Sequence, residues 1–131
     1  MRKKWDKLVY IDLFSGSGYA KIQETNQILK ASPLIALSIP VPFDIYLFAE
    51  EEPKYLNALK ERVDRVNLKS EVHYFEGDCN VNIDLIKDSI PKHSYNQNVL
   101  AFCFADPYEM NIQFKTIDIL THDNLMDVLI L

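Results

Sequence analysis

Four short segments carry side chains that could do chemistry, and each follows directly on an apolar stretch. In Asp12-Leu13-Phe14-Ser15-Gly16-Ser17-Gly18 the glycines let the backbone turn sharply and approach a ligand with no Cβ in the way. Glu50, Glu51 and Glu52 precede Pro53. A carboxylate in that place can accept charge-assisted hydrogen bonds from sugar hydroxyls. Glu50 is the first candidate because it follows the apolar run immediately, whereas Glu51 and Glu52 better suit the N-terminus of a helix. Gly77-Asp78-Cys79 sets a third acid in the same relation to its run, with helix capping by Asp78 as the alternative use. Asp106-Pro107-Tyr108 delivers a fourth acid, then a rigid proline, then an aromatic ring.

The elements that must position these segments follow from the hydrophobic pattern. Lys7 to Phe14 reads as a buried parallel strand running into a tight loop. Tyr19 to Ala31 alternates apolar and polar residues on either side of Thr25-Asn26, which predicts a small hairpin. Ser32-Pro33 reads as an N-cap with proline at the first helical position, opening a helix through Ile39 that Pro40 and Pro42 end. Phe43 to Ala49 is the next strand, and Pro53 to Val66 a helix whose Leu56, Leu59, Val63 and Val66 recur at spacings of three and four. Val72 to Phe75, Val99 to Ala105 and Met126 to Leu131 are further strands, with helices over Asn82 to Ile90 and Asn111 to Leu120. Strands alternating with helices specify a parallel sheet with helices on both faces, so the fold class is α/β. In such sheets ligands bind beyond the carboxyl ends of the strands, where all four segments fall.

Bulk properties narrow the function classes. The 131 residues suffice for one domain, 1–131, and 48% hydrophobic residues allow a core. No apolar run reaches the length of a membrane span and no signal-peptide pattern opens the chain, so a cytoplasmic location is expected. Cys79 and Cys103 lack a CxxC or Cys/His arrangement, and His73, His93 and His122 lack ligand spacing. Neither a metal site nor a disulfide is expected. The net charge of −5 argues against strong unaided nucleic-acid binding, although Arg2, Lys3, Lys4 and Lys7 cluster at the start.

The ordered set Asp12-Leu-Phe-Ser-Gly-Ser-Gly, Glu50, Gly77-Asp78 and Asp106-Pro107-Tyr108 resembles the motifs of class I S-adenosylmethionine-dependent methyltransferases. More narrowly, YIDLFSGSGYAKI, ASPLIAL, LFAEEEPKYLNALKERV and FADPYEMNIQF resemble the three-Cys-motif partner proteins (TcmP), a methyltransferase-like bacterial family. The resemblance implies a Rossmann-like, doubly wound, mostly parallel sheet of strand order 3-2-1-4-5, with S-adenosylmethionine as cofactor. It places Asp12 and the loop Phe14, Ser15, Gly16, Ser17 and Gly18 around the methionine portion. Glu50, with Glu51 beside it, would lie on the ribose hydroxyls, and Asp78 near the adenine amino group with Cys79 adjacent. Asp106, Pro107 and Tyr108 match the D-P-P-Y type motif of amino-methylating enzymes, where the acid and a nearby carbonyl hold the target nitrogen and the ring stacks on the base. The acceptor would be a nucleic-acid base or a protein partner, and the family name implies a three-Cys-motif protein as partner.

Three departures favour a second reading, a partner module that keeps the fold and transfers nothing. Phe14 stands where the usual loop has its first glycine, one proline follows Asp106, and the hairpin separates the glycine loop from its helix. A third reading, a nicotinamide oxidoreductase, lacks the final glycine of its loop pattern in SGSGYA. Domains of the resembling type carry seven strands and this chain supplies five, so the fold is expected to stop before its last two. Met126 to Leu131 would then be an open apolar edge, paired with a second copy, covered by other residues, or poorly ordered.

Overall fold

A computed structural model of the protein describes residues 4–21, 23–107 and 112–131. Five strands, β1 (Lys7–Asp12), β4 (Ile45–Glu50), β5 (Glu71–Glu76), β6 (Val99–Ala105) and β7 (Met126–Ile130), form one sheet. Their order is β5-β4-β1-β6-β7, and every neighbouring pair is parallel. Between β1 and β4 the short strands β2 (Tyr19–Lys21) and β3 (Ile28–Lys30) pair antiparallel, and Asn26 takes a positive φ in the connecting turn. The expected α/β class and the hairpin are both present.

Two helices cover each face of the sheet. α1 (Ser32–Leu37) and α2 (Pro53–Asp64) contribute Leu34, Leu37, Leu59 and Val63 to a core built on the aromatic face of the sheet, with Tyr10, Tyr46 and Phe48. α3 (Cys79–Asp88) and α4 (Phe114–Thr121) cover the aliphatic face, where Ile83, Ile86 and Leu120 meet Val9, Ile11, Leu47, Ala101 and Cys103. Side chains alternate across each strand, so residues of one parity build one core and their neighbours the other.

Several boundaries differ from the pattern reading for local reasons. β1 stops at Asp12 because Leu13 and Phe14 already turn: the Leu13 amide donates to the Phe104 carbonyl and the Ser15 amide to that of Ala49. α3 starts three residues earlier than the sequence predicts, since Asp78 caps it through the Asn80 amide at 2.8 Å. Ser32 is a correction. It occupies the first helical position of α1, with Ala31 as the N-cap and no side-chain capping bond, and its hydroxyl is used elsewhere. α4 begins at Phe114, and the expected start at Asn111 lies outside the described residues.

β7 sits at one edge of the sheet, with Leu129 and Ile130 exposed. No helix among the described residues is long and apolar enough to cross a membrane, and none of their His, Cys, Asp and Glu side chains group as metal ligands.

Candidate functional site

The carboxyl ends of β1, β4, β5 and β6 open into a cleft of about 830 Å³. Phe14, Ser15, Gly16, Ser17, Glu50, Glu51, Asp78, Cys79 and Asp106 line it, joined by Leu13, Tyr19, Ala20, Ala31, Ser32, Glu52, Tyr55, Gly77 and Phe104. The parallel sheet thus brings together residues that are separated by as much as 93 positions in the chain (Leu13 and Asp106, 106 − 13). Asp12, Gly18 and Pro107 do not line the cleft, and Tyr108 lies outside the described residues.

Glu50 ties three strand-end loops to one another. Its Oε1 accepts the Gly16 amide at 3.0 Å, its Oε2 accepts the Glu52 amide at 2.7 Å, and its carbonyl accepts the Gly77 amide at 3.0 Å. Gly16 can turn toward that carboxylate because it holds φ +66°, and a methyl group added there would meet nothing within 4 Å. Gly18 serves packing: at φ +94° an added Cβ would lie 3.0 Å from Leu34 Cγ and 3.1 Å from Leu59 Cδ1.

Asp12 is fully buried on the aromatic face, directly behind the loop. Its Oδ2 accepts the Ser32 hydroxyl at 2.6 Å and the Tyr10 hydroxyl at 3.2 Å. Its Oδ1 has no hydrogen-bond partner among the described residues. Burial outweighs the two hydroxyls and the nearby Phe14 backbone and raises the carboxyl pKa from 3.8 to about 6, with the Asp106 charge adding to the rise. Burial likewise raises the Tyr10 hydroxyl, which shares that carboxylate.

Asp78 combines two positions. It lines the cleft while its Oδ1 accepts the Asn80 amide at 2.8 Å and the Asn80 side-chain amide at 3.0 Å. The Cys79 thiol is buried and pushed up to about 11, chiefly by burial, which makes it a poor nucleophile. Asn80 then links α3 to α4, its Oδ1 accepting the Gln113 amide at 3.0 Å and the Thr116 hydroxyl at 2.6 Å. This contact fixes the start of α4 against α3.

The cleft is electrostatically one-sided. Among the described residues five acids line it, Glu50, Glu51, Glu52, Asp78 and Asp106, and no Lys, Arg or His does so. Such a lining favours a cationic ligand with hydroxyl groups and disfavours a diphosphate. Tyr10, Tyr19, Ser32, Tyr55 and Phe104 belong to the site or its support, and pattern reading did not single them out as functional. Tyr10 precedes Asp12 by two in a strand and so shares its face, which was a usable signal. Ser32 had none, because its partner lies 20 positions away.

No family model and no curated protein matches the sequence. Among solved structures the chain is similar to protein LPL1258 from Legionella pneumophila str. Philadelphia 1, of family model DUF519. The TM-score is 0.58 and the identity 16%, over 93% of this chain and 57% of that one. The likeness is one of fold, and the chain spans little more than half of the length of that protein.

Proposed function

We propose that the cleft binds S-adenosylmethionine and that the chain is a methyltransferase-like domain acting on an amino nitrogen. The observation that carries this reading is the cleft at the strand ends, which collects the glycine loop, Glu50, Asp78 and Asp106 under a lining that is acidic, with no cation among the described residues. The residues fit the ligand: Gly16 leaves open space beside Glu50, and both line the cleft. S-adenosylmethionine supplies an electrophilic methyl on a positively charged sulfur, and its ammonium adds a second cation. Glu50 would accept the ribose hydroxyls, Asp78 with Cys79 would border the base, and the Phe14 to Ser17 loop, backed by Asp12, would hold the methionine end. Asp106, exposed at the mouth, would accept an N–H of the acceptor and turn the nitrogen lone pair toward the methyl, a task of proximity and orientation. The narrower likeness to three-Cys-motif partner proteins, with such a protein as partner, belongs to the same proposal.

Calorimetric titration with S-adenosylmethionine and S-adenosylhomocysteine, with NADH as control, tests the pocket. Saturable binding of the first two and none of NADH is expected, and Glu50→Ala should weaken it at least about tenfold by removing charge-assisted hydrogen bonds. Unchanged affinity in that variant, or equal binding of NADH, would refute the assignment. Asp106→Ala should keep donor affinity within about twofold while transfer of labelled methyl falls by about two orders of magnitude, the scale of a lost orienting contact. Full transfer by the variant would remove Asp106 from that role. Donor binding by the wild type without transfer to any nitrogen acceptor favours the partner-module reading, which the lone Pro107 after Asp106 supports.

A further inference from the structure

The hairpin that walls the cleft also has an outward face of opposite charge. Tyr19 pairs with Lys30, and Lys21 with Ile28. Cross-strand partners and residues two apart in a strand project to the same side, so Tyr19, Lys21, Ile28 and Lys30 share one face. Arg62 of α2 joins them, its guanidinium 4.7 Å from the Tyr19 ring centroid while Nη1 donates to the Ser17 carbonyl. Tyr19, Ala20, Lys21, Ile28 and Arg62 line a second groove of about 410 Å³, and Tyr19 and Ala20 line the acidic cleft as well.

Part of this groove is not used by the fold: Lys21 and Ile28 are exposed, while Arg62 already holds the Tyr19 ring and the Ser17 carbonyl. Ile28 is 65% exposed and Tyr19 40% exposed, so neither serves the core. No carboxylate pairs with Lys21, Lys30 or Arg62 among the described residues, although Lys30 Nζ donates to the Ser38 hydroxyl at 3.1 Å. The overall charge of −5 therefore conceals a segregation, with acids inside the cleft and cations around an aromatic ring at its lip.

We propose that this groove binds single-stranded nucleic acid. One base would lie against Tyr19 and Ile28, and Lys21, Lys30 and Arg62 would hold the flanking phosphates. Aromatic stacking combined with cations along a groove is how proteins hold single strands without reading sequence. An acidic peptide would satisfy the cations but leave the ring unused, and a duplex keeps its bases stacked away from Tyr19. Binding at the groove stands on these contacts alone. Only the presentation of the neighbouring base to the acidic cleft rests on the methyl-donor reading.

Fluorescence anisotropy with a labelled single-stranded RNA of mixed sequence, about 12 nucleotides long, tests the site. Saturable binding is expected. Neutralising three phosphates should weaken it about 20-fold between roughly 50 and 200 mM salt. Lys21→Glu/Lys30→Glu should lose at least about tenfold in affinity, and the milder Lys21→Gln/Lys30→Gln should fall between that variant and wild type. Tyr19→Ala should lose about tenfold and Tyr19→Phe should bind like wild type, since the ring and not the hydroxyl stacks. Absence of saturable binding at low salt, or equal binding by the charge variants, would overturn the proposal. So would displacement by polyglutamate as effective, charge for charge, as displacement by unlabelled RNA, which would assign the groove to acidic protein segments. The same variants titrated with S-adenosylmethionine separate the two sites: the lysine variants should keep donor affinity, and Glu50→Ala should keep RNA affinity. RNA binding that depends on the lysines in a protein that binds no donor would leave the groove standing and remove the donor reading.

Discussion

Between pH 4 and pH 8 the stability of Asp12→Asn relative to the wild type should rise by about 3 kcal/mol. In the folded chain the carboxyl titrates near 6 instead of 3.8 because it is fully buried, and the Ser32 and Tyr10 hydroxyls offset only part of that penalty. A carboxyl raised in the folded state contributes its stability below its unfolded pKa and loses it as pH rises through its folded one. The wild type therefore weakens between roughly pH 4 and 7, whereas the neutral asparagine does not. Thermal unfolding across that range should show a gap opening to roughly 10 °C at the alkaline end. Parallel pH profiles for the two proteins would show that Asp12 is not the buried acid it is taken to be.

Gly18→Ala should cost about 2–4 kcal/mol, measured by urea unfolding. The residue holds φ +94°, which L side chains rarely adopt, and its new methyl would sit 3.0 Å from Leu34 Cγ and 3.1 Å from both Leu34 Cδ1 and Leu59 Cδ1. Both leucines are buried between α1, α2 and the sheet, so neither has free space to move into. Gly16→Ala is the internal control. Its φ of +66° carries strain, but a methyl there meets nothing within 4 Å, so about 1 kcal/mol is expected. That methyl projects into the space proposed for the ligand, so Gly16→Ala should damage donor binding more than stability, and Gly18→Ala the reverse. Equal stability losses in the two variants would mean that the loop relaxes as a unit and that the contacts at Gly18 do not control it.

Local pattern in the chain was enough to establish the alternation of strands and helices and the ends at which chemistry could gather. Val99 to Ala105 forms β6 with the expected limits, and the hairpin appears around Asn26, because periodicity and turn chemistry operate within about ten residues. Phe14 to Ser17, Glu50, Glu51, Asp78, Cys79 and Asp106 were identifiable as candidates for one reason. A parallel sheet sends every strand end to the same edge, so residue type and position after a run suffice to group them. What those side chains do to one another was decided by tertiary structure. Ser32 looked like a helix cap, yet its hydroxyl belongs to Asp12, because α1 packs on the sheet face that Asp12 occupies. Glu50 looked like a ligand acid, and it also braces Gly16 and Glu52. Asp78 serves as cap and cleft wall together. The opposite charges of the cleft and the hairpin groove are invisible in a net value of −5, since they arise only when Arg62 is folded back against Tyr19 across 43 positions (62 − 19). Sequence determines which residues are available and at which end of which element. Burial, shared hydrogen-bond acceptors and charge segregation depend on distances between elements, and those exist only once the sheet has assembled and its helices have packed.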